Sequence, residues 1–296
     1  VADRIHYARA SVLDRTALDQ IAKDHTITHI VHGATVTLFA PEAPDGCPVA
    51  NPETDVPAAV IEINVMGTVT VLDWARSLPD LRRLIAVSSG AVYNDYGPDP
   101  AGPMPEDGWV DPPEFYGISK RASEMIAQRY AQLFGMSVAS CRLSGVYGPM
   151  DRIRPSRAHY CAPYAALHRA LDGKPIRINA PDAVGDHIHA GDVALAIIAL
   201  LDKDGPLDHP VYNIALGQSV TVQELVDEVA RIVPGAVWQV ADASECDIVS
   251  DATHKGGRWG AYDISRITKE TGWHPRPFGE ALDDYARFIH SFGVTR

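Results

Sequence analysis

The chain has 296 residues, of which 46% are hydrophobic and 22% charged, and its formal net charge is −12. This length and apolar content allow a sizeable buried core, and the composition excludes disordered, collagen-like and low-complexity proteins. The acidic balance makes the phosphate backbone of a nucleic acid an unfavourable partner.

The cysteines and the hydropathy pattern indicate the compartment. Four cysteines lie far apart, without the close pairs of a zinc finger or a redox motif, which predicts free thiols in a reducing environment. They are Cys47, Cys141, Cys161 and Cys246. No uninterrupted run of about 18 apolar residues occurs, and charged residues interrupt the first ten positions. We therefore expect a soluble, cytoplasmic protein with no membrane partner.

Strand-like apolar runs alternate with helix-like segments through the first half of the chain. The apolar spacing predicts helices at 16–23, 60–76 and 114–134, and strands at 27–34, 84–89 and 138–143. Buried strands that alternate with long helices predict an α/β fold, in which helices cover both faces of a doubly wound parallel sheet. A proline-rich loop at 41–57 follows one of these strands, where such sheets place their ligands.

The second half of the chain has shorter predicted elements. Helices are expected at 164–171, 192–201 and 222–233, and strands at 176–178 and 211–214. Asp192 is in a position to cap its helix, and Thr221 with Glu224 forms a capping-box pattern.

A tyrosine and a lysine four residues apart are the first candidate catalytic pair. Tyr116 and Lys120 lie on one face of the predicted helix, one turn apart. A tyrosine that acts as a base near neutral pH needs its pKa lowered by about three units, or ~4 kcal/mol. A cation about 4 Å away supplies an energy of that order. The bare pattern is equally well explained by a solvated helix face.

Three more features lie close to this pair in the sequence. Ser88 and Ser89 end a buried strand, and a hydroxyl there can bond the substrate oxygen that exchanges a proton with the tyrosine. Asn64 lies mid-helix, where asparagine is a poor helix former, so it indicates another role, although packing explains the nearby Gly67 equally well. Residues 142–149 end the third strand in a turn.

Together, in this order, the four features resemble the extended short-chain dehydrogenase/reductases, the NAD-dependent epimerase/dehydratase family. Segments 186–192, 212–214 and 262–265 resemble later landmarks of the same family. The resemblance implies a Rossmann-like sheet with a smaller C-terminal substrate lobe. Residues 1–147, with a return at about 186–217, would form the cofactor domain, and residues 148–185 and 218–296 the lobe.

The resemblance also implies roles for individual residues. Tyr116 would be the acid/base, Lys120 would lower its pKa and hold the nicotinamide ribose, Ser89 would orient the substrate, and Asn64 would support the helix. The cofactor, NAD or NADP, would contact residues from several segments: Ser11, Val12, Gly33, Ala34, Thr35, Asn64, Tyr116, Lys120, Gly145 and Val146.

One expected family unit is missing from the sequence. The family opens with a strand, a GxxGxxG turn and a helix that cradle the pyrophosphate, but the first glycine here is Gly33. The sequence is expected to begin just before the third family strand, at 5–12, about 45 residues short. Two explanations stand: an incomplete sequence, which we favour, or a variant with an impaired cofactor site.

Several departures from the family pattern bear on the substrate. Gly90 and Ala91 replace the Asp-Glu pair of the dehydratases, which disfavours dehydration. Gly145 and Gly185 replace an asparagine and an arginine that help hold a sugar diphosphate, which disfavours UDP-sugars. A basic cluster, comprising Arg152, Arg154 and Arg157, offers a site for a carboxylate or phosphate, or is simply a solvated loop.

We expect an NAD(P)-dependent oxidoreductase acting on a secondary hydroxyl of a small sugar, sugar acid or polyol. The first alternative is a nucleotide-sugar 4-epimerase, and the second is a non-catalytic family member with an incomplete cofactor site. A small-molecule substrate is the main partner, together with a second copy in a homodimer. His187 and His189 invite a metal interpretation, but no third ligand lies nearby, so no metal is expected.

Overall fold

A computed structural model describes residues 4–37, 52–93, 102–151, 161–251 and 259–292. Its helices are α1 Arg15–Asp24, α2 Pro52–Asp55, α3 Pro57–Ile61, α4 Gly67–Ala75, α5 Phe115–Phe134, α6 Ala162–Leu171, α7 Ala190–Asp202, α8 Val222–Ile232, α9 Ser265–Thr271 and α10 Phe278–Phe292. Its strands are β1 His29–His32, β2 Arg83–Ser89, β3 Val138–Leu143, β4 Gly145–Tyr147, β5 Ile176–Ile178, β6 Val184–Gly185, β7 His187–His189, β8 Val211–Ile214, β9 Val220–Thr221 and β10 Trp238–Val240.

The main sheet is parallel, with the strand order β1-β2-β3-β8. Ser89, the last residue of β2, lies opposite Leu143 of β3, which in turn lies opposite Ile214 of β8. The strands therefore end together at one carboxyl edge, which is the edge at which parallel α/β sheets bind ligands.

Successive residues of each strand face opposite sides of the sheet, and each side carries its own apolar core. On one side Leu84 and Ala86 of β2 pack with α1, α4 and α5. On the other side Ile85 of β2 and Cys141 of β3 pack with α7 and α9. Helices thus cover both faces, so the doubly wound Rossmann-like sheet predicted from the sequence is confirmed.

Helices α3 and α4 are joined by a π-helical turn, Glu62–Met66, into one continuous rod. This rod, Pro57–Ala75, has a mean hydropathy of 1.3 and is long and apolar enough to cross a membrane. Within the described ranges it is the one helix that meets this test, and 44% of its most apolar stretch is buried inside the protein. Val71 and Leu72 pack there against Leu18 and Leu84, which is the behaviour of a core helix.

A third apolar core gathers the C-terminal part of the chain. It joins α6, α8 and α10 with β5 and includes Leu167, Ile178, Val226 and Leu282. The C-terminal part is not wholly separate from the main sheet, since Trp273 packs in the core that lies against that sheet. The division at 148–185 and 218–296 stays a prediction.

Two predictions for local structure were wrong, for different reasons. Residues 5–12 form no strand: the described main sheet ends at β1 on that side, and none of the described strands pairs with them. Asp192 is not a helix cap: His189 caps α7 by accepting a hydrogen bond from the Gly191 amide, whereas Asp192 pairs with Arg276 at 2.9 Å. The capping box at Thr221 and Glu224 is confirmed.

A buried ion pair ties helix α5 to the sheet. The Arg142 guanidinium on β3 donates two hydrogen bonds of 2.8 Å to the Glu124 carboxylate on α5. Both side chains are 1% exposed. Ser88 of β2 donates a third hydrogen bond of 2.6 Å to Glu124, so the carboxylate links three elements. Such a pair is costly to break, because removal of one partner leaves the other charge buried and unpaired.

The Arg142→Met substitution should therefore lower the free energy of unfolding by about 3–5 kcal/mol, measured by urea denaturation. Arg287 provides the control, because its pair with Asp283 is solvent-exposed on both sides. The Arg287→Met substitution should change stability by no more than about 1 kcal/mol. Equal effects of the two variants would contradict a structural role for the buried pair.

Candidate active site

Residues from three strand ends meet at the carboxyl edge of the sheet. Ser89 ends β2, residues 33–35 follow β1, and Gly145 with Val146 opens β4 directly after β3. The structure thus brings together segments that are more than 100 residues apart in the chain.

The two serines at the end of β2 point in different directions. Ser88 is buried and donates its hydroxyl hydrogen to Glu124, so it serves the ion pair beneath helix α5. Ser89 is half-buried on the opposite face, where its Oγ accepts a hydrogen bond of 3.2 Å from the Ala91 amide and caps the turn Gly90–Val92. Alternation along the strand therefore makes Ser89 the hydroxyl available at the edge.

A close approach sets helix α5 beside this turn. A Cβ atom at Gly117 would lie 2.3 Å from the carbonyl oxygen of Ala91, so only glycine fits at this position. The contact packs the first turn of α5, with Tyr116, against the residues that follow Ser89. The glycine directly after Tyr116 is thus a sequence signal for this close approach, and the sequence analysis did not use it.

Tyr116 and Lys120 lie one turn apart on the inner face of α5. The Lys120 Nζ atom is 5.8 Å from the centre of the Tyr116 ring, over its face. Tyr116 is half-buried and Lys120 is buried, and Nζ donates a hydrogen bond of 2.9 Å to the Val87 carbonyl oxygen. A cation held over the ring of a tyrosine favours the negative charge of the tyrosinate.

Burial makes the positive charge of Lys120 energetically unfavourable. Burial lowers its pKa from 10.5 to about 8, although the nearby Glu124 carboxylate opposes the change. A cavity of about 10 Å³ lies beside it, lined by polar residues that include His32 and Ser123; such a volume is roughly the room that one water needs. Burial, and secondarily the charge of Lys120, lower the pKa of His32 to about 4, so this imidazole is neutral.

Asn64 links the loop after β1 to helix α5. Its Oδ1 accepts hydrogen bonds from the Val36 amide at 2.7 Å and from Thr35 Oγ1 at 3.0 Å. Its Nδ2 donates to the Val36 carbonyl oxygen at 3.0 Å and to Ser119 Oγ at 2.9 Å. The amide is 2% exposed, and its two donors and two acceptor sites are all used, so Asn64 positions other groups rather than contacting a reactant.

The π-helical turn explains why asparagine stands in the middle of a helix. The wider turn at Glu62–Met66 interrupts the regular hydrogen-bond pattern and directs Asn64 inward. Packing accounts for Gly67, as a Cβ atom there would lie 2.7 Å from a methyl group of Val12.

The other residues predicted to contact a cofactor fall into two groups. Gly33, Ala34 and Thr35 lie at the edge, and a Cβ atom at Gly33 would meet only a Val87 methyl group, at 3.8 Å. This open backbone lies next to Val87, whose carbonyl oxygen accepts the hydrogen bond from Lys120 Nζ. Ser11 lies apart from this group: it is exposed, and its Oγ accepts a hydrogen bond from the Leu13 amide.

Tyr262 occupies the space beside Gly90. A Cβ atom at Gly90 would lie 1.8 Å from the Tyr262 hydroxyl oxygen, so an acidic side chain at this position is excluded while Tyr262 stays in place. Tyr262 is buried, and its ring meets Tyr93 edge-on with centroids 5.4 Å apart. Gly90, the glycine that departs from the dehydratase pattern, is therefore required by the bulky Tyr262 side chain beside it.

His187 fills a second space of this kind. A Cβ atom at Gly185 would lie 2.5 Å from His187 Nε2, and one at Gly145 would lie 3.0 Å from His187 Nδ1. The imidazole thus lies against both glycines at which the sequence departs from the nucleotide-sugar epimerases. Asp186, which lies between Gly185 and His187 in the chain, accepts hydrogen bonds from the Leu216 and Gly217 amides at 2.8 and 2.9 Å.

Some predicted sites lie elsewhere or cannot be placed. Arg152, Arg154 and Arg157 fall outside the described residues. His189 does not join His187 in a common site, since its Nδ1 accepts the Gly191 amide hydrogen. Among the described ranges there is no group of three or more side chains suited to hold a metal ion.

Sequence reasoning missed the groups that hold the site in place. Ser119 lies one residue before Lys120 and Glu124 lies four residues after it, on the same helix. Tyr262 comes from a distant segment of the chain. For Glu124 a signal was available, because it extends the spacing of Tyr116 and Lys120 by one more turn along the same helix face.

Curated proteins resemble this chain over most of its length. The curated protein "Probable GDP-L-fucose synthase 1" of Oryza sativa subsp. japonica is 28% identical over 240 residues, which cover 76% of this chain and 68% of the relative. The chain therefore matches about two thirds of that relative's length.

Solved structures share the fold at lower identity. UDP-glucose 4-epimerase from Thermotoga maritima, solved with UDP-glucose, gives a TM-score of 0.78 at 20% identity, covering 98% of this chain and 86% of that one. UDP-glucuronic acid 4-epimerase from Bacillus cereus, solved with UDP-glucuronic acid and NAD, gives 0.72 at 19%, covering 96% and 81%.

A family model described as the NAD dependent epimerase/dehydratase family matches residues 1–215. This range includes the four strands of the main sheet and helix α5 with Tyr116 and Lys120. Because the match extends over most of the chain and over the whole carboxyl edge, the protein belongs to the NAD-dependent epimerase/dehydratase family.

Proposed function

We propose that this protein catalyses NAD(P)-dependent hydride transfer at a secondary hydroxyl carbon of a nucleotide-linked sugar. The observation that carries the proposal is the placement of Tyr116 and Lys120, one helical turn apart, beside the strand end that bears Ser89. Similarity to proteins named GDP-L-fucose synthase and UDP-glucose 4-epimerase supports a nucleotide sugar over a free sugar or polyol.

In this proposal each of the three residues has one task. Tyr116 takes the proton from the substrate hydroxyl during oxidation and returns a proton to the carbonyl oxygen during reduction. The Lys120 ammonium stabilises the tyrosinate by its charge. Ser89 donates a hydrogen bond to the same substrate oxygen and fixes its direction toward Tyr116.

The cofactor supplies the hydride acceptor and donor when it is bound. Lys120 and the open backbone at Gly33 and Ala34 are suited to its nicotinamide-ribose end. Asn64 contributes indirectly, because it holds the loop that follows Ala34 against the helix that carries Tyr116.

A dehydratase reaction is disfavoured. Removal of water needs an additional acid and base next to the hydroxyl-bearing residue. At the corresponding positions the chain has Gly90 and Ala91, and the Tyr262 hydroxyl takes the space that a side chain at position 90 would need.

A second candidate is oxidation of a small sugar, sugar acid or polyol without a nucleotide. The observation that favours it is the pair Gly145 and Gly185, since neither position carries an amide or a guanidinium side chain that could hold a diphosphate.

Incubation of the complete chain with NAD or NADP and a panel of substrates tests the proposal. We expect reversible interconversion of a UDP- or GDP-linked sugar with its 4-epimer or 4-keto form, followed by chromatography and by absorbance of the reduced nicotinamide. Turnover of free polyols but of no nucleotide sugar would favour the second candidate.

Tyr116→Phe is the critical variant for the assigned chemistry. It should lower kcat by about 10²–10⁴-fold, because the proton carrier is lost, while the affinity for the cofactor changes little. Tyr130→Phe on the same helix is the matched control, since its hydroxyl bonds Asp73 away from the site, and should keep full activity. Unchanged turnover in Tyr116→Phe would refute the assignment.

Lys120 should show opposite effects on activity and stability. Because the folded-state pKa of about 8 lies below the ordinary 10.5, the buried charge costs stability below about pH 8. This cost disappears as the pH rises from 8 toward 10.5. Lys120→Met should therefore raise the free energy of unfolding at pH 7 by roughly 1–3 kcal/mol, while turnover falls by at least about 10²-fold.

Chemical denaturation at pH 7 and pH 10 measures the stability effect, and the gain should shrink at the higher pH. Lys174→Met is the control, because Lys174 is exposed and pairs only with Asp172 at the surface. A loss of stability in Lys120→Met at pH 7 would show that the charge is not the dominant cost.

We also propose that two copies associate through helix α5. Ile118, Met125 and Leu133 are 43%, 57% and 55% exposed, and their spacing of seven and eight residues places them on one face of the helix. Met125→Glu should convert a dimer to a monomer in sedimentation velocity experiments. Leu195→Glu on α7, which is equally exposed, should leave the dimer intact, and a wild-type monomer would contradict the proposal.

A further inference from the structure

Three residues on neighbouring strands form one side of the small cavity beside Lys120. His32 of β1 lies opposite Ala86 of β2, and Ala86 lies opposite Ser140 of β3. Residues paired in this way point their side chains to the same face of the sheet. Alanine adds only a methyl group between the imidazole and the hydroxyl, so space is left between them. This space is the cavity of about 10 Å³ that all three residues line.

Helices close the cavity with polar groups. Lys120, Ser123 and Glu124 line it from α5, and Thr68 lines it from α4. A water needs roughly this volume and about two to four polar partners, whereas an apolar cavity of the same size stays dry. The volume and the lining therefore both suit one buried water.

The Lys120 ammonium has more hydrogens than partners. It carries three donors, and its one hydrogen-bond acceptor among the described residues is the Val87 carbonyl oxygen, at 2.9 Å. The carboxylate whose charge acts on it is Glu124. That carboxylate already accepts two hydrogen bonds from Arg142 and pairs with Arg121 at 3.1 Å. Because two guanidinium groups share Glu124, the buried ammonium needs a further acceptor.

The hydrogen bonds of Thr68 define the state of the His32 ring. The Thr68 hydroxyl donates its single hydrogen to the Asn64 carbonyl oxygen at 2.6 Å, its shortest contact. In the 3.1 Å contact between Thr68 Oγ1 and His32 Nε2 the imidazole must then be the donor. Nε2 thus carries the ring hydrogen, and Nδ1 is an acceptor. Burial, and secondarily the charge of Lys120, lower the pKa of His32 to about 4, so the ring is neutral.

We propose that the cavity is a water site between Lys120 and His32, and that His32 is a positioning residue for the Lys120 ammonium. The water accepts a hydrogen bond from Lys120 Nζ and donates one to His32 Nδ1, while Thr68 holds the ring. This water solvates the ammonium inside the protein, so the charge is retained beside Tyr116. The inference rests on the proposed function only in its consequence for Tyr116.

A double-mutant cycle measures the coupling between the two side chains without turnover. The complete chain carrying His32→Leu, Lys120→Met or both is unfolded in urea at pH 7 and compared with the wild type. His32→Leu should raise the unfolding equilibrium constant about tenfold more in the wild-type background than in the Lys120→Met background, because only the ammonium needs the water. Equal effects in the two backgrounds would overturn the proposal.

Two further variants show whether the coupling comes from the hydrogen bonds of the ring. His32→Gln keeps a donor for Thr68 and an acceptor for the water, so most of the coupling should remain. His29→Leu is the matched control, because His29 lies on the same strand and has a threonine contact of its own, with its Nδ1 3.1 Å from Thr28 Oγ1. Strand alternation places His29 on the opposite face from His32. Coupling of His29 to Lys120 as strong as that of His32 would contradict the assignment.

The pH profile of turnover tests the consequence for Tyr116. The ionisable groups around the ammonium among the described residues are His32, Tyr116, Arg121, Glu124 and Arg142. His32→Leu changes only the first of these and makes the charge of Lys120 less favourable. The acid limb of kcat/KM should therefore move to higher pH by roughly one unit, and His32→Gln should move it back. An unmoved limb in His32→Leu would overturn the positioning role.

A crystal structure of the complete chain tests the water site directly. One ordered water should lie within hydrogen-bond distance of Lys120 Nζ and His32 Nδ1, and crystals of His32→Leu should lack it. Wild-type crystals without this water would overturn the site. The crystals and the cycle need no turnover, so they stay decisive for His32 even if Tyr116→Phe refutes the proposed function.

Discussion

The active edge depends on the buried Glu124 carboxylate. It accepts two hydrogen bonds from Arg142 on β3 and one from Ser88 on β2, and so fixes the rotation of helix α5 against the sheet. Tyr116, Lys120 and Glu124 follow one another at intervals of four residues along one helix face. An anchor at the third position therefore orients the other two, and a rotation of the helix would carry the tyrosine away from Ser89.

Three glycines shape the site, because each leaves room for a group from another residue. Gly117 lets helix α5 approach the turn after Ser89, Gly90 leaves room for Tyr262, and Gly185 leaves room for His187. In each case the missing side chain is replaced by a group from another segment. Here the groups beside Gly90 and Gly185 are the phenol of Tyr262 and the imidazole of His187.

The two buried polar residues near Tyr116 differ in their energetic cost. Lys120 lies under the sheet edge with one carbonyl partner, and burial lowers its pKa to about 8. Asn64, in contrast, is buried with its whole hydrogen-bonding capacity satisfied. The buried lysine thus carries an energetic cost, which the proposed role beside Tyr116 would explain. The asparagine instead stabilises the contact between the loop after β1 and helix α5.

The sequence by itself determined the alternation of strands and helices, the capping box at Thr221 and the Tyr116–Lys120 pair, because these depend on neighbours within about one helical turn or one strand. It failed at residues 5–12, with which none of the described strands pairs. The family resemblance already favoured Ser89 over Ser88, but only the tertiary structure showed that Ser88 serves the ion pair and that His187 lies beside Gly185. Those outcomes depend on atoms brought together from distant segments, and no local pattern encodes which of two adjacent side chains will meet them.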